Sequence, residues 1–305
     1  MELVEGLGYV ALTVPELESS LDFYRRIAHL KVSERGSKTA FLTGRANHHW
    51  LRLDETGRPG LTRIAFQVTS RAALDEVVNR LDGRGIPWKE SDDVTTQRVG
   101  DAIRFQDPDG FEIELFTDMV SLPVPVEPFV KMDRVLHAVW LADSPRDSHN
   151  FYSEILGFKA SDWIERMAVF MRCANRYHHT MGILRGGEKS GRLDHFCILV
   201  DSLDDVVRAR NIAVQNGVKL RQELVRHAAS GSVSTYLIDP INDISVEFCV
   251  WHSQIDDEGY RPRILQASPV TLDMWKATPD EEDVARPGEE VRSTADLRGF
   301  ANLMA

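Results

Sequence analysis

The segment LGYVALTVPELESSLDFY (7–24) returns as VLHAVWLADSPRDSHNFY (135–152). Both carry an alternating apolar run, both break at a proline with acidic neighbours, and both end in Phe-Tyr. Laid over each other, Tyr24 falls on Tyr152 and Tyr9 on His137, 128 residues apart in each case. A second pair, FQDPDGFEIELF (105–116) and LIDPINDISVEFC (237–249), continues the similarity, with its Asp-Pro steps 132 apart. Self-similarity on this scale constrains the fold more than any single motif, because each copy must build the same supersecondary unit.

Each copy itself reads as two similar units of strand, helix and three strands. The first opens with a strand over Gly6–Val14 and a helix over Leu17–Ile27, with strands near Lys31–Glu34, Ala40–Leu42 and Trp50–Leu53. The second opens at Leu61–Val68, has a helix near Ala72–Leu81 and ends in Glu112–Phe116. The third opens at Arg134–Leu141, with a helix near Arg146–Leu156 and strands near Phe158–Trp163, Ala168–Arg172 and Thr180–Leu184. The fourth opens at Leu193–Val200, with a helix near Asp204–Asn216, and finishes with Ser234–Leu237 and Ile244–Val250. Gly157 and Gly217 stand where helix-terminating glycines belong. The expected fold class is therefore α+β: four βαβββ modules in two tandem domains, residues 1–120 and 133–255, followed by a C-terminal extension over 256–305. Leu122–Pro128 reads as the linker, and the acidic, polar stretch 278–294 as a surface tail.

At 305 residues the chain suits two domains, and its 43% hydrophobic content suits a packed core. A formal net charge of −11 argues against a nucleic-acid partner, whose phosphates demand a basic surface. MELVEGLGYV lacks the basic start and apolar run of a signal peptide, and no run of about 18 apolar residues suggests a membrane span. Three cysteines, Cys173, Cys197 and Cys249, form no C-x-x-C pair and fit reduced thiols in a cytoplasmic protein.

Three residues of the second copy hold matched positions. His137 lies on the first strand of unit three, His195 on the first strand of unit four, and Glu247 on the last strand of unit four. A lone histidine in an apolar strand is more often a satisfied core residue than a ligand. Two in matching places, with a glutamate inside the apolar run ISVEFCV, form the two-histidine, one-carboxylate set suited to Fe(II). The first copy offers Tyr9, Arg63 and Glu114 at these positions, so it keeps the fold without the ligands. The stretch ANRYHHTMGI (174–183) brings further histidines toward the same cavity, and alternation on a strand points His178 away from it. RHAASGSVSTY (226–236) adds His227 and Tyr236, whose plainer readings are a loop surface histidine and a core tyrosine. Val139, Phe170 and Met171 read as apolar cavity walls or as core.

These residues make the chain resemble a type I extradiol ring-cleaving dioxygenase of the vicinal oxygen chelate superfamily, with its glyoxalase/bleomycin-resistance-like domains. The resemblance covers roughly residues 5–255. It implies that His137, His195 and Glu247 hold Fe(II), with Mn(II) as the other candidate. It implies that His179, which follows His178 in an N-R-x-H-H-S/T-like stretch, is the catalytic acid/base. It also implies that Tyr236 is the active-site tyrosine and that His227 contacts substrate. Catechol and O2 would be the substrates, and family members usually assemble as tetramers or larger. PIND (240–243) is one residue longer than the turn usual in this family, which suggests a bulge before the last strand. The competing readings are a metal-dependent enzyme of other chemistry on this fold, such as a glyoxalase, an epimerase or a hydroxyphenylpyruvate dioxygenase, and a metal-free binding protein.

Overall fold

A computed structural model of the chain describes residues 2–256 and 259–276. The expected surface tail over 278–294 lies outside the described residues. The first copy contains β1 (Val4–Val14), α1 (Leu17–Asp22), β2 (Lys31–Arg35), β3 (Thr39–Thr43) and β4 (Leu51–Glu55). It continues with β5 (Gly60–Val68), α2 (Arg71–Gly83), β6 (Trp88–Glu90), the single turn α3 (Val94–Gln97), β7 (Ala102–Gln106) and β8 (Glu112–Phe116). The second copy repeats the plan with β9 (Met132–Ala142), α4 (Pro145–Leu156), β10 (Lys159–Ile164), β11 (Ala168–Arg172) and β12 (Met181–Arg185). Then follow β13 (Arg192–Val200), α5 (Leu203–Gln215), β14 (Leu220–Arg226), β15 (Val233–Ile238) and β16 (Ser245–Val250). The chain adds β17 (Arg263–Leu265) and α6 (Pro269–Leu272) beyond the repeat.

The copies form one sheet each. The eight-stranded sheet runs β2-β3-β4-β1-β5-β8-β7-β6, and the nine-stranded sheet runs β14-β15-β16-β13-β9-β12-β11-β10-β17. In both, the leading strands of the two modules pair antiparallel at the centre, and each pairs in parallel with the last strand of its own module. This geometry brings the middles of β9, β13 and β16 side by side, although they are far apart in sequence.

Local chemistry explains the helices. Ser70, Ser144 and Ser202 cap the first turns of α2, α4 and α5 by accepting from Ala73, Asp147 and Asp205 N–H groups. Pro145 stands at the start of α4, and Gly157 ends it at φ 74°, where a side chain would be strained. The first expected helix is not continuous: after Asp22 the chain widens into a π-turn over Phe23–Ile27. β6 and β14 escape the strand pattern as half-buried edge strands, and β7 escapes it although it is buried and lies one strand in from the edge. The linker does not hang free, since Leu122 and Val126 N–H groups donate to Ala46 and Arg45 carbonyls of the first copy.

One hydrophobic core spans both copies, from Leu12 and Phe66 to Trp140, Phe158 and Phe248. Phe66 meets Phe158 edge-on across the junction, with ring centroids 5.5 Å apart. Among the described residues no helix is long and apolar enough to cross a membrane.

Candidate metal centre

The sheet register assembles the site. Cys197 of β13 faces His137 of β9 on one side and Glu247 of β16 on the other. Tyr236 of β15 stands opposite Glu247. His195 precedes Cys197 by two residues and so shares its face. The bulge expected before the last strand is absent: Tyr236 and Glu247 pair in an unbroken register. The extra residue is absorbed in the turn, where Asp243 adopts a left-handed φ of 54° and donates to the Asp239 carbonyl.

His137 Nε2 lies 2.8 Å from Glu247 Oε2, and His195 Nε2 lies 3.2 Å from the same oxygen. Two donors about 2.1 Å from an octahedral cation and at right angles to each other stand ~3.0 Å apart, so both spacings suit one ion. Glu247 is almost fully buried, and its ion pairs among the described residues are all to histidines: His137, His195 and, at 4.0 Å, His227. Burial pulls the Glu247 carboxyl up, yet the two close histidines outweigh it and hold it well below the usual range. Burial lowers His195, but its hydrogen bonds to Asp194 and Glu247 outweigh that and raise it to about 9. A buried carboxylate with only titratable partners is a site that calls for a cation.

Among the described residues two sets have donor atoms all within 4.8 Å of one another, His137 with Cys197 and Glu247, and His137 with His179 and His252; His195 falls in neither set and reaches the first only through Glu247. The Cys197 thiol is pushed far up by burial, which keeps it protonated and a weak ligand. His252 carries no sequence signal: it follows the last strand outside any motif, yet it is buried with its ring 4.6 Å from that of His179.

His179 lines the cavity, its ring 4.2 Å from His137 and 4.8 Å from Phe170. Burial and then the neighbouring His137, His252 and His178 hold it well below its ordinary value, which makes it a neutral ring at neutral pH. Both His178 and His179 precede β12 rather than lying on it. His178 stays off the cavity, but not through strand alternation, and it is buried: its Nδ1 meets His179 Nδ1 at 3.0 Å and its Nε2 meets Asp162 at 2.8 Å.

His227 and Tyr236 also reach the cavity. The Leu272 carbonyl accepts from His227 Nδ1 at 2.7 Å, so a neutral His227 must accept at Nε2. The Tyr236 hydroxyl donates there at 2.8 Å, which leaves its oxygen lone pairs turned to other partners. Val139, Ile164, Met167, Ala168, Phe170 and Leu184 form apolar walls. Met171, the other expected wall, packs into the shared core instead. Thr271 and Leu272, beyond the repeat, close the remaining side.

The first copy reproduces this layout without the histidine ligands. Tyr9, Ala65, Glu114 and Arg104 form the matching row, with Arg63 two residues before Ala65. Arg63 and Arg104 donate to Glu114 Oε2 at 2.9 and 2.7 Å, and Tyr9 donates to Oε1. Two guanidinium groups thus neutralise a carboxylate whose ion-pair partners in the second copy, among the described residues, are histidines.

Comparison with known proteins agrees with this duplication. The profile of the Glyoxalase/Bleomycin resistance protein/Dioxygenase superfamily matches residues 6–115 and 134–248. A manganese-dependent 2,3-dihydroxybiphenyl 1,2-dioxygenase of Geobacillus genomosp. 3 is 25% identical over 282 residues, covering 85% of this chain and 89% of that protein. An iron-dependent extradiol dioxygenase of Rhodococcus jostii (strain RHA1) is 27% identical over 229 residues, covering 67% of this chain and 74% of that protein. The crystal structure of the Mn(II)-bound glyoxalase from Novosphingobium aromaticivorans superposes with a TM-score of 0.83 at 22% identity, over 95% of this chain and 97% of that one.

Proposed function

The chain belongs to the Glyoxalase/Bleomycin resistance protein/Dioxygenase superfamily, and from that premise we propose that it is an extradiol dioxygenase that opens a catechol-type ring with O2. The observation that carries this reading is the convergence of His137 and His195 on one oxygen of the buried Glu247, beside the neutral ring of His179. The iron- and manganese-dependent dioxygenases among its relatives support the same reading.

In this proposal the second domain, residues 133–255, carries the chemistry and the first, residues 1–120, serves as scaffold. His137, His195 and Glu247 would hold Fe(II) or Mn(II), and such an ion would supply Lewis acidity toward the diol hydroxyls and a common site for the diol and O2. His179 Nε2 accepts a proton from a diol hydroxyl and returns it as the ring opens. Tyr236, its own proton directed at His227, accepts a hydrogen bond from the second hydroxyl. The aromatic ring lies against Val139 and Phe170, whose apolar surfaces exclude water from the reacting atoms. His227 acts on substrate through Tyr236. Exposed apolar side chains on the C-terminal segment, Ile264, Val270, Met274 and Trp275, support assembly into a homo-oligomer. The free cysteines support a cytoplasmic setting.

The test is anaerobic loading with Fe(II) or Mn(II), followed by a panel of catechols and an oxygen electrode. One metal per chain and one O2 consumed per diol are expected. Diol-independent O2 uptake, or none with any catechol, refutes the reading.

A further inference from the structure

His179 does not stand alone. Asp162 of β10 has a fully buried side chain. Its Oδ2 faces His178 Nε2 at 2.8 Å, and its Oδ1 accepts from the backbone N–H and the Nε of Arg263, each at 3.0 Å. A carboxylate engaged by a guanidinium only accepts, so His178 carries its proton at Nε2. Arg263 already balances the charge of Asp162, so His178 is called on only as the donor at Nε2, and its Nδ1 accepts, 3.0 Å from His179 Nδ1. The proton in that contact therefore belongs to His179, and the remaining nitrogen of His179, Nε2, is left with a lone pair on a residue that lines the cavity.

The first copy contains the same chain of groups. His48 and His49 meet through their Nδ1 atoms at 3.1 Å, His48 Nε2 faces Glu34 at 3.1 Å, and Arg98 grips Glu34 at 2.8 and 2.9 Å. There the guanidinium comes from within the repeat, just after α3. In the second copy the 132-residue register puts Ser230 at that place. Arg263 replaces the missing guanidinium from β17, outside the repeat, and also donates to the Ala229 carbonyl at 2.9 Å. The second copy thus completes its relay with a segment that the first copy does not possess.

We infer that Asp162, His178 and Arg263 are positioning residues that hold His179 as the Nδ1–H tautomer, with Nε2 presented to the cavity as a base. The inference rests on the proposed dioxygenase reading for its kinetic consequence, and on geometry alone for the tautomer. Arg263 is the connection by which the C-terminal segment controls the proton-handling residue.

Two readouts test it. The first is imidazole nitrogen NMR on the full chain with ¹⁵N-labelled histidine, before metal loading. The wild type should show His179 protonated at Nδ1 and His178 at Nε2, and Asp162→Asn should produce a mixture of tautomers. The second is steady-state kinetics on the loaded protein. Asp162→Asn and the milder Arg263→Gln, at a half-exposed side chain, should lower kcat about 10–100-fold, as loss of an orienting partner does elsewhere. KM and metal content should stay unchanged, and Asp162→Glu should recover part of the loss. Glu34→Gln, the same change in the first copy, should leave kcat unaltered. A wild-type His179 protonated at Nε2, an Asp162→Asn variant within about twofold of wild-type kcat, or an equal loss in Glu34→Gln would overturn the inference. Should no catechol be turned over by the wild type, the dioxygenase reading fails, while the NMR result still decides the tautomer.

Discussion

The Tyr24 hydroxyl of the first copy donates to Asp239 Oδ2 of the second at 2.7 Å, and Tyr152 of the second donates to Asp107 Oδ2 of the first at the same distance. The residues that mark the repeat in sequence are thus the ones that join the copies in space. All four are buried, and the other oxygen of each aspartate accepts from the backbone of its own turn. Tyr152→Phe should cost about 1–3 kcal/mol, because a buried carboxylate oxygen loses its side-chain donor, and Tyr24→Phe about 0.5–1.5 kcal/mol, because Asn242 Nδ2 still donates to Asp239 Oδ2 at 3.0 Å. Urea unfolding measures this, and a loss below about 0.5 kcal/mol for both would show that the bonds are ornamental.

Asp107 adds a pH signature. Burial is the main cause of its raised pKa of about 6, only partly offset by the Tyr152 and backbone hydrogen bonds. A carboxyl that binds its proton more tightly when folded favours the native state at low pH. That contribution fades as pH rises from about 4 through about 6, the ordinary and folded values. Its size is on the order of 2–3 kcal/mol. The stability difference between wild type and Asp107→Asn should therefore shift against the wild type between pH 4 and pH 7. A difference constant across that range contradicts the shift.

In the first copy, the guanidinium groups of Arg63 and Arg104 occupy the side of Glu114 that the second copy gives to histidines. Glu114→Gln should leave metal content unchanged. It should also destabilise the fold by about 1–3 kcal/mol, since two charge-assisted bonds weaken while Arg63 and Arg104 keep Asp93 and Glu112 as partners. Metal analysis and thermal unfolding of one preparation report both. A fall in bound metal would place an ion in the first domain.

His137→Ala, His195→Ala and Glu247→Ala should each abolish metal binding while the fold persists, because the first copy holds the same architecture without these side chains. His179→Gln separates catalyst from ligand. It should keep its metal and still bind catechol, with turnover reduced about 10²–10⁴-fold. Loss of metal in His179→Gln would instead favour the donor group of His137, His179 and His252.

The repeat made the four modules readable, because alternation and Phe-Tyr and Asp-Pro landmarks recur at nearly constant spacing. It also exposed His137 and His195, which stand out where Tyr9 and Arg63 replace them. What the sequence hid depends on tertiary register. His252 and Asp162 gain meaning only when module ends meet. Arg263 and Leu272 lie beyond the last recognisable strand, where no pattern predicts that β17 pairs with β10 or that a carbonyl reaches His227. The extra residue in PIND suggested a bulge because a count of residues cannot tell a widened turn from a distorted strand.

The most direct measurement of the central claim is the absorbance spectrum of the product when the Fe(II)- or Mn(II)-loaded protein and a catechol are exposed to O2. Cleavage beside the two hydroxyls yields a yellow, conjugated semialdehyde or keto acid. The account predicts that yellow product from the wild type and none from Glu247→Ala. A colourless diacid, formed by cleavage between the hydroxyls, or an unaltered catechol in the presence of fully bound metal, would contradict it.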